Sequence, residues 1–136
     1  MMFINNQHIK VSFLDKNGFL PTKSGLNWGQ RPGRERNQAY IKLSSNIYNS
    51  NFFPERGIHF IIETDDGESF TATRAQANGK AIETPENNSI LGVYFRRRLG
   101  LPLGSFVEKI HLLNYGRTDI DFYKINEYRY KMDFSI

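Results

Sequence analysis

The chain has 136 residues, a net charge of +4 and no cysteine. This length suits one hydrophobic core of ordinary proportions, so we expect residues 1–136 to form a single domain. Without cysteine, a disulfide framework, a thiolate zinc site and thiol redox chemistry are excluded, and the composition fits a reducing compartment.

The first residues of the sequence predict no targeting signal. Its first ten residues, MMFINNQHIK, lack the basic start and apolar run of a signal peptide. No stretch of the sequence approaches the roughly 18 apolar residues of a membrane span. We therefore expect a soluble, cytoplasmic protein with no membrane partner.

Two short strands are predicted in the first part of the chain. Alternation in HIKVSFLD (8–15) places Ile9, Val11 and Phe13 on one side, and AYIKLS (39–44) is a second short run. The connection between them has about 23 residues, whereas about 2 to 6 are usual. Because long structured loops in compact domains are commonly functional, we expect this connection to carry a binding role.

Further strands are predicted in the middle and at the end. IHFIIETDDGESFTATRAQ (58–76) indicates a hairpin, with β-rich segments around a turn at which Gly67 can take a positive φ. AIETP (81–85) follows a second turn. DIDFYKINEYRYKMDF (119–134) predicts a strand, a turn near Asn126 and a final strand.

Two short helices are predicted. SSNIYNSNFF (44–53) begins with serines that can cap a helix, and NNSILGVYFRRRLGL (87–101) has capping residues, apolar positions at helical spacing and a stop at Gly100. FVEKIHLL (106–113) is ambiguous between helix and strand. Short strands interrupted by two short helices predict a mainly β fold, as a mainly antiparallel barrel or sandwich.

The excess positive charge lies in two segments. Residues 23–38 carry a net charge of +3, from Lys23, Arg31, Arg34 and Arg36 against Glu35. Residues 71–104 also carry +3, from Arg74, Lys80, Arg96, Arg97 and Arg98 against Glu83 and Glu86. Two separate basic segments indicate a face that binds a polyanion, because neutralising phosphates drives affinity. Ordinary solvated surface is the alternative.

Both basic segments also contain side chains that can read DNA bases. Arginine can clamp guanine O6 and N7, and glutamine or asparagine can clamp adenine, each pair giving roughly 1–3 kcal/mol of discrimination. Because alternate residues of a strand share a face, Arg74, Gln76 and Asn78 can point one way and Thr73 the other. A plain polar hairpin surface is the alternative for each segment.

Long strings of the sequence resemble one known family. They are SGLNWGQRPGRERNQAYIKL, FFP, TDDGESFTATRAQANGKAIETPENNSILGVYFRRRLGL and YGRTDIDFYKI. From about residue 10 to 134 the chain resembles the DNA-recognition domain at the C-terminal end of NgoFVII-type restriction endonucleases. This resemblance implies a B3-like open antiparallel pseudobarrel of about seven strands with two short helices. Two arms, about 23–38 and 71–86, would grip the major groove of double-stranded DNA.

The resemblance places DNA-binding residues on both arms. They are Asn27, Trp28, Gln30, Arg31, Arg34 and Arg36 on the first arm, and Thr73, Arg74, Gln76, Asn78 and Lys80 on the second. Trp28 either stacks on the sugar-phosphate backbone or anchors its arm to the barrel, and we prefer the anchor. Three successive helical residues span about 300° of arc. We therefore expect one arginine of 96–98 to face a phosphate and the others to be solvated.

In this family a separate phospholipase-D-like domain cuts the DNA. The resemblance therefore implies a non-catalytic targeting domain of a bacterial type II restriction endonuclease, with double-stranded DNA and that catalytic domain as partners. His8, Lys10 and Asp15 fit the H-x-K-x4-D motif of such catalytic domains, which leaves a nuclease as one alternative. A single-stranded nucleic-acid-binding barrel with stacked aromatic rings is another, although the aromatic residues alternate as core residues do.

No metal site and no cofactor are predicted. The acidic turn ETDDGES (63–69) contains carboxylates of the kind that bind magnesium, but adjacent carboxylates at a glycine turn are typical of hairpins. The three histidines are scattered along the chain and form no zinc-binding pattern.

Overall fold

A computed structural model describes residues 7–136, and seven strands carry its architecture. The strands are β1 (His8–Ser12), β2 (Ile41–Lys42), β3 (Phe60–Thr64), β4 (Ser69–Ala75), β5 (Ala81–Glu83), β6 (Asp119–Asn126) and β7 (Arg129–Asp133). They form one sheet in the order β1, β6, β7, β3, β4, β5, β2. Strands β3 and β7 pair in parallel, and the other neighbouring strands pair antiparallel.

The sheet curls into a nearly closed barrel with an open seam. Its two end strands each have one paired edge: β1 pairs with β6, and β2 pairs with β5. Within the described residues no ladder joins β1 to β2. The predicted mainly β pseudobarrel is therefore confirmed. The parallel pair makes the sheet mixed, because β3 and β7 come from distant parts of the chain and turn signals report only neighbouring strands.

The described residues contain three α-helices and two 3₁₀ helices. They are α1 (Ser45–Tyr48), α2 (Ile90–Leu99) and α3 (Lys109–Tyr115), with 3₁₀ helices at Gly25–Gln30 and Ala77–Gly79. The first two α-helices lie where the sequence predicts them, and α2 ends at Gly100 with a φ of 72°. Helix α3 resolves the ambiguous segment. It is started by a capping box, in which Glu108 and His111 bind each other's backbone N–H groups.

Strand β1 is shorter than its sequence pattern predicts, because side chains capture the backbone after Ser12. The Ser12 hydroxyl accepts a hydrogen bond from the Leu14 N–H at 3.0 Å. The Asp15 carboxylate accepts two more, from Asn17 at 2.9 Å and Phe19 at 3.0 Å. Such local bonds compete with the sheet ladder, so the chain turns away here and begins its long connection to β2.

Aromatic side chains fill much of the core. Phe53 packs against Phe60 and Tyr130, with ring centroids 5.5 and 5.0 Å apart. On α2, Phe95 contacts Phe134 edge to face at 5.3 Å, which fixes the helix against the barrel. All five of these rings are buried, as the alternation of aromatic residues in the sequence indicates.

Candidate nucleic-acid interface

The two predicted arms lie at opposite ends of β2. The N-terminal arm (residues 23–38) leads into β2 at Ile41. At the other end of the strand, Lys42 pairs with Ala81, the first residue of β5. The turn before β5 is the tip of the C-terminal arm (residues 71–86), so this tip lies beside the end of β2.

The N-terminal arm folds back on itself. Its 3₁₀ helix, Gly25–Gln30, is followed by a turn in which Gly33 has a φ of 82°. The Gly29 N–H then donates to the Gln38 carbonyl at 2.8 Å. A Cβ atom on Gly29 would lie 2.3 Å from the Glu35 carbonyl oxygen, so only glycine permits this approach. The arm is consequently a packed structure.

Asn27, one of the predicted DNA-binding residues, is fully buried beneath the N-terminal arm. Its Nδ2 donates to the carbonyls of Pro21 at 2.9 Å and Val107 at 2.8 Å. Its Oδ1 accepts a hydrogen bond from the Val107 N–H at 2.9 Å. Both ends of the amide are therefore occupied, and Asn27 ties the arm to the segment before α3.

Trp28 lies between an arginine of its own arm and the barrel. Its ring meets Tyr40 edge to face, with centroids 5.2 Å apart. The Arg34 guanidinium lies over the Trp28 ring, 3.8 Å from its centroid. The contact with Tyr40, next to β2, is the one that an anchoring role requires. The Trp28 ring also positions the Arg34 side chain.

The other predicted side chains of the N-terminal arm are oriented by hydrogen bonds. Gln30 Nε2 donates to the carbonyls of Arg36 at 3.1 Å and Gly104 at 3.3 Å, and its Oε1 accepts from Arg36 Nη1 at 3.3 Å. Arg31 Nε donates to the Lys23 carbonyl at 2.7 Å. Both arginines are exposed, and within residues 7–136 the two terminal nitrogens of Arg31 have no hydrogen-bond acceptor.

Arg74, predicted as a DNA-binding residue of the C-terminal arm, is only 8% exposed. Its guanidinium donates to four carbonyls: Gly79 at 2.9 Å, Pro54 at 3.2 Å, Tyr48 at 2.5 Å and Asn78 at 3.3 Å. Burial lowers the pKa of Arg74 from its ordinary value. Because the ordinary pKa of arginine lies far above neutral pH, the side chain stays charged. Arg74 therefore holds the tip of its arm from inside the protein.

The tip of the C-terminal arm presents two further predicted residues. Strand β4 ends at Ala75, so the strand alternation that would align Gln76 and Asn78 with Arg74 does not reach them. Gln76 and Asn78 instead have positive φ angles of 65° and 60°. Gln76 Nε2 lies 3.4 Å from Glu83 Oε2, and Asn78 is exposed.

Thr73 and Lys80 flank this tip, and both are half-buried. The Thr73 hydroxyl donates to the Ile58 carbonyl at 3.2 Å. The Lys80 carbonyl accepts from the Leu43 N–H at 2.7 Å, which joins the arm to the chain just after β2. The two arms are thus connected through the same short strand.

A second buried arginine, Arg96 on α2, holds the N-terminal arm. It has no exposed surface, and it donates to the carbonyls of Leu26 at 3.2 Å, Ser105 at 2.9 Å and Gly92 at 3.2 Å. Leu26 belongs to the 3₁₀ helix of the arm, so Arg96 connects the arm to α2. Desolvation lowers the pKa of its guanidinium. The sequence carries no signal for this role, because the acceptors are backbone groups.

The expectation for the arginine triplet is therefore corrected. Arg98 is half-buried, and its guanidinium binds the Asp65 carboxylate with distances of 3.0 and 2.9 Å. Arg97 is exposed, and Arg96 and Arg98 are not solvated as expected. The helix points its three arginines in different directions, as their spacing indicates: Arg96 points into the protein, Arg98 towards the acidic turn and Arg97 into solvent.

The N-terminal arm has one more contact with the start of α2, through Glu35. The Ser89 hydroxyl donates to the Glu35 carboxylate, and Asn37 donates to it from both its N–H and its side chain at 3.0 Å. The Ser89 hydrogen bond is the main cause that lowers the pKa of Glu35. The Asn37 Oδ1 in turn accepts from the Gly104 N–H at 2.6 Å.

The sequence that forms this pseudobarrel and its two arms matches a known family. The family described as the NgoFVII C-terminal B3-like DNA-binding domain matches residues 1–126. The chain belongs to this family. Its role is therefore DNA recognition as a domain of a restriction enzyme, and DNA is its partner. Comparison with curated proteins gave no significant match.

In this B3-like domain, His8 and Lys10 share one carboxylate. His8 Nε2 lies 2.7 Å and Lys10 Nζ 3.2 Å from Asp121 Oδ1, and Arg117 binds the other oxygen at 2.7 Å. Burial alone would raise the pKa of Asp121, but the hydrogen bonds from His8, Arg117 and Lys10 lower it to about 2. Asp15 binds backbone amides in the turn after β1 instead. The three residues thus serve two structural sites of the B3-like domain.

The acidic turn between β3 and β4 is likewise used for structure. Asp65 binds Arg98 and accepts from the Phe134 N–H at 2.8 Å, while Asp66 accepts from Thr64 at 2.6 Å and Tyr94 at 2.8 Å. Among residues 7–136, no three acidic or histidine side chains are grouped so that they could hold a metal ion. The helices described for this stretch are all too short to cross a bilayer.

Proposed function

We propose that this domain reads a short sequence in double-stranded DNA by placing both arms in the major groove. The observation that carries the proposal is the position of the arms at the two ends of β2, each with exposed polar side chains at its surface. The proposed readers are Gln30, Arg31, Arg34 and Arg36 on the N-terminal arm, and Thr73, Gln76, Asn78 and Lys80 on the C-terminal arm.

Asn27 and Arg74 have a different role in this proposal. Both are buried and bound to backbone carbonyls, so we assign them, with Trp28, to bracing the arms. Bracing favours specific binding because a preorganised arm loses less conformational entropy when it meets DNA. Exposed guanidinium and amide groups held at fixed positions can then form bidentate pairs with bases.

We also propose that the domain targets a separate catalytic domain to DNA. The partner would be a phospholipase-D-like domain of a type II restriction endonuclease in the bacterial cytoplasm. Support comes from the family, whose name describes a C-terminal DNA-binding domain of NgoFVII. On this account the isolated domain binds DNA without cutting it, with or without divalent metals, and His8→Ala does not change that result.

The test is selection from a pool of randomised duplexes at near-physiological salt, followed by sequencing of the bound fraction. We expect one motif of about four to six base pairs to be enriched. A single-stranded version of the selected sequence should compete poorly for the domain.

Two results would contradict the proposal. An unenriched pool with weak, steeply salt-dependent binding would leave only non-specific phosphate attraction. Efficient competition by the single strand would indicate that unpaired bases are the ligand.

A further inference from the structure

The open seam of the barrel forms a groove of about 730 Å³. Strand β1 and the turn after it line one side, and β2 with the start of α1 lines the other. Each of these two strands has an edge that no strand in the described residues covers, so backbone N–H and C=O groups of these edges face the gap. The groove therefore lies between two strand edges.

The groove runs between the two arms. At one end its wall is the base of the N-terminal arm, including Ser24 and Leu26. At the other end its wall includes Lys80, next to the tip of the C-terminal arm. A ligand that touches both arms therefore passes over the groove.

The groove has an excess of positive charge. Lys10, Lys16, Lys42 and Lys80 line it, and Asp15 is the acidic residue among its lining side chains. Lys10 is already bound to Asp121 at 3.2 Å. Within the described chain, no carboxylate lies within salt-bridge distance of Lys16, Lys42 or Lys80. These three ammonium groups are available to an anion.

We infer that the seam groove binds the phosphodiester backbone of the DNA strand that crosses between the arms, with Lys16 and Lys42 as its main charged contacts. The inference rests on the proposed function, because the arms bring the DNA to the groove. Charge favours this occupant, since lysines attract phosphates without regard to base sequence. A peptide strand paired to β2 is disfavoured, because that edge is only two residues long.

The inference predicts a sequence-independent effect of the lysines. Lys42→Ala and Lys16→Ala should each weaken binding of the selected duplex and of a scrambled duplex by the same factor, about two- to fivefold. Each substitution should also reduce the slope of log affinity against log salt by about 1. Lys42→Arg should keep wild-type affinity because it keeps the charge, whereas Lys42→Gln should behave like the alanine variant.

The matched control is Lys131→Ala. Lys131 is an exposed lysine on β7, which lies near the middle of the sheet order and away from the seam. Its loss should change neither affinity nor salt slope by a comparable amount. Because all three lysines are accessible, the variants should keep the wild-type melting temperature.

The outcomes separate the inference from the proposed function. If Lys16→Ala and Lys42→Ala bind both duplexes as Lys131→Ala does, the groove is not a phosphate site, even where the wild type selects a motif. If the wild type selects no motif but the groove variants still lose affinity and salt slope, sequence reading fails and the groove inference stands. Unequal losses on the two duplexes would overturn it, because they would assign base contact to the lysines.

Discussion

The N-terminal arm and the C-terminal arm are both held by a buried arginine bound to backbone carbonyls, but the number of supporting contacts differs. Arg96 holds the N-terminal arm together with Asn27, Trp28 and the close approach of Gly29. The C-terminal tip depends mainly on Arg74, which donates to four carbonyls. The first arm is thus integrated into the core, and the second is a turn held mainly by one side chain.

Arginine suits this task because its guanidinium has five N–H donors in one plane. One side chain can therefore satisfy carbonyls from several segments that lack other partners. A buried charge without a carboxylate is costly, and in both arms carbonyl dipoles offset that cost. The comparison suggests that disturbing Arg96 affects the whole domain, whereas disturbing Arg74 affects one arm.

The largest expected effect is that of Arg96→Met. Its loss leaves three carbonyls without their donor, each costing about 1–3 kcal/mol, so we expect the free energy of unfolding to fall by roughly 3–5 kcal/mol. Urea-induced unfolding measures this change. The control, Arg97→Met, alters an exposed neighbour on the same helix and should stay within about 0.5 kcal/mol of wild type. Equal stability of the two variants would show that Arg96 does not hold the arm.

Arg74→Met should have a smaller and more local effect. We expect a loss of about 2–4 kcal/mol, since Arg74 keeps 8% of its surface exposed whereas Arg96 keeps none, and water can replace some of the lost donors there. Amide exchange should accelerate at Gly79 and Lys80, whose N–H groups bond within the tip. The Gly29 amide of the N-terminal arm should keep its protection relative to global unfolding. Equal acceleration of amide exchange in both arms would contradict the view that Arg74 holds only the C-terminal arm.

Arg31→Ala should lower the discrimination between DNA sequences and leave the stability of the fold unchanged. We expect the preference for the selected duplex over one with a single changed base pair to fall by about 1–3 kcal/mol. Competition binding with the two duplexes measures it. Arg97→Ala serves as an arginine control outside both arms. A loss of affinity that is equal for both duplexes would make Arg31 a phosphate contact.

The smallest expected effect is a pH dependence found in the N-terminal arm alone. Glu35 has a pKa lowered from 4.5 by its hydrogen bond from Ser89. The pKa of Glu35 is lower in the folded state than in the unfolded state. The contact therefore stabilises the arm fully above the unfolded pKa of about 4.5, and this stabilisation is lost as the pH falls through the folded-state pKa. The Asn37 amide resonance should then shift, while that of Gly79 should not. Glu35→Gln should abolish the shift, and a matching shift in that variant would assign it to another group.

Much of the fold could be predicted because its signals are local. The hairpin at Gly67, the end of α2 at Gly100 and the two basic segments all follow from neighbouring residues. The parallel pairing of β3 with β7 could not, because it joins segments far apart in the chain. The capping box of α3 was present in the sequence as Glu108 and His111, but histidine is an unusual partner for it.

The site was harder to predict than the fold. The sequence identifies the arms, but charge and hydrogen-bonding capacity are the same for a buried and an exposed arginine, so Arg74 could not be separated from Arg31. The burial of Asn27 could not be predicted for a similar reason, since its partner Val107 lies in a distant segment of the chain. The sequence does not indicate the groove lysines, because Lys16 and Lys42 lie outside both basic segments and line one groove only in the folded barrel.

The most direct test of reading by two arms is duplex selection with Arg31→Ala and Gln76→Ala in parallel with the wild type. Each variant removes one polar side chain from one arm, an exposed one at Arg31 and a half-buried one at Gln76. The account predicts that both variants lose enrichment at some base pairs of the motif and keep it at others, with different positions affected for each arm. Loss at the same positions, or a uniform loss of binding with an unchanged motif, would contradict it.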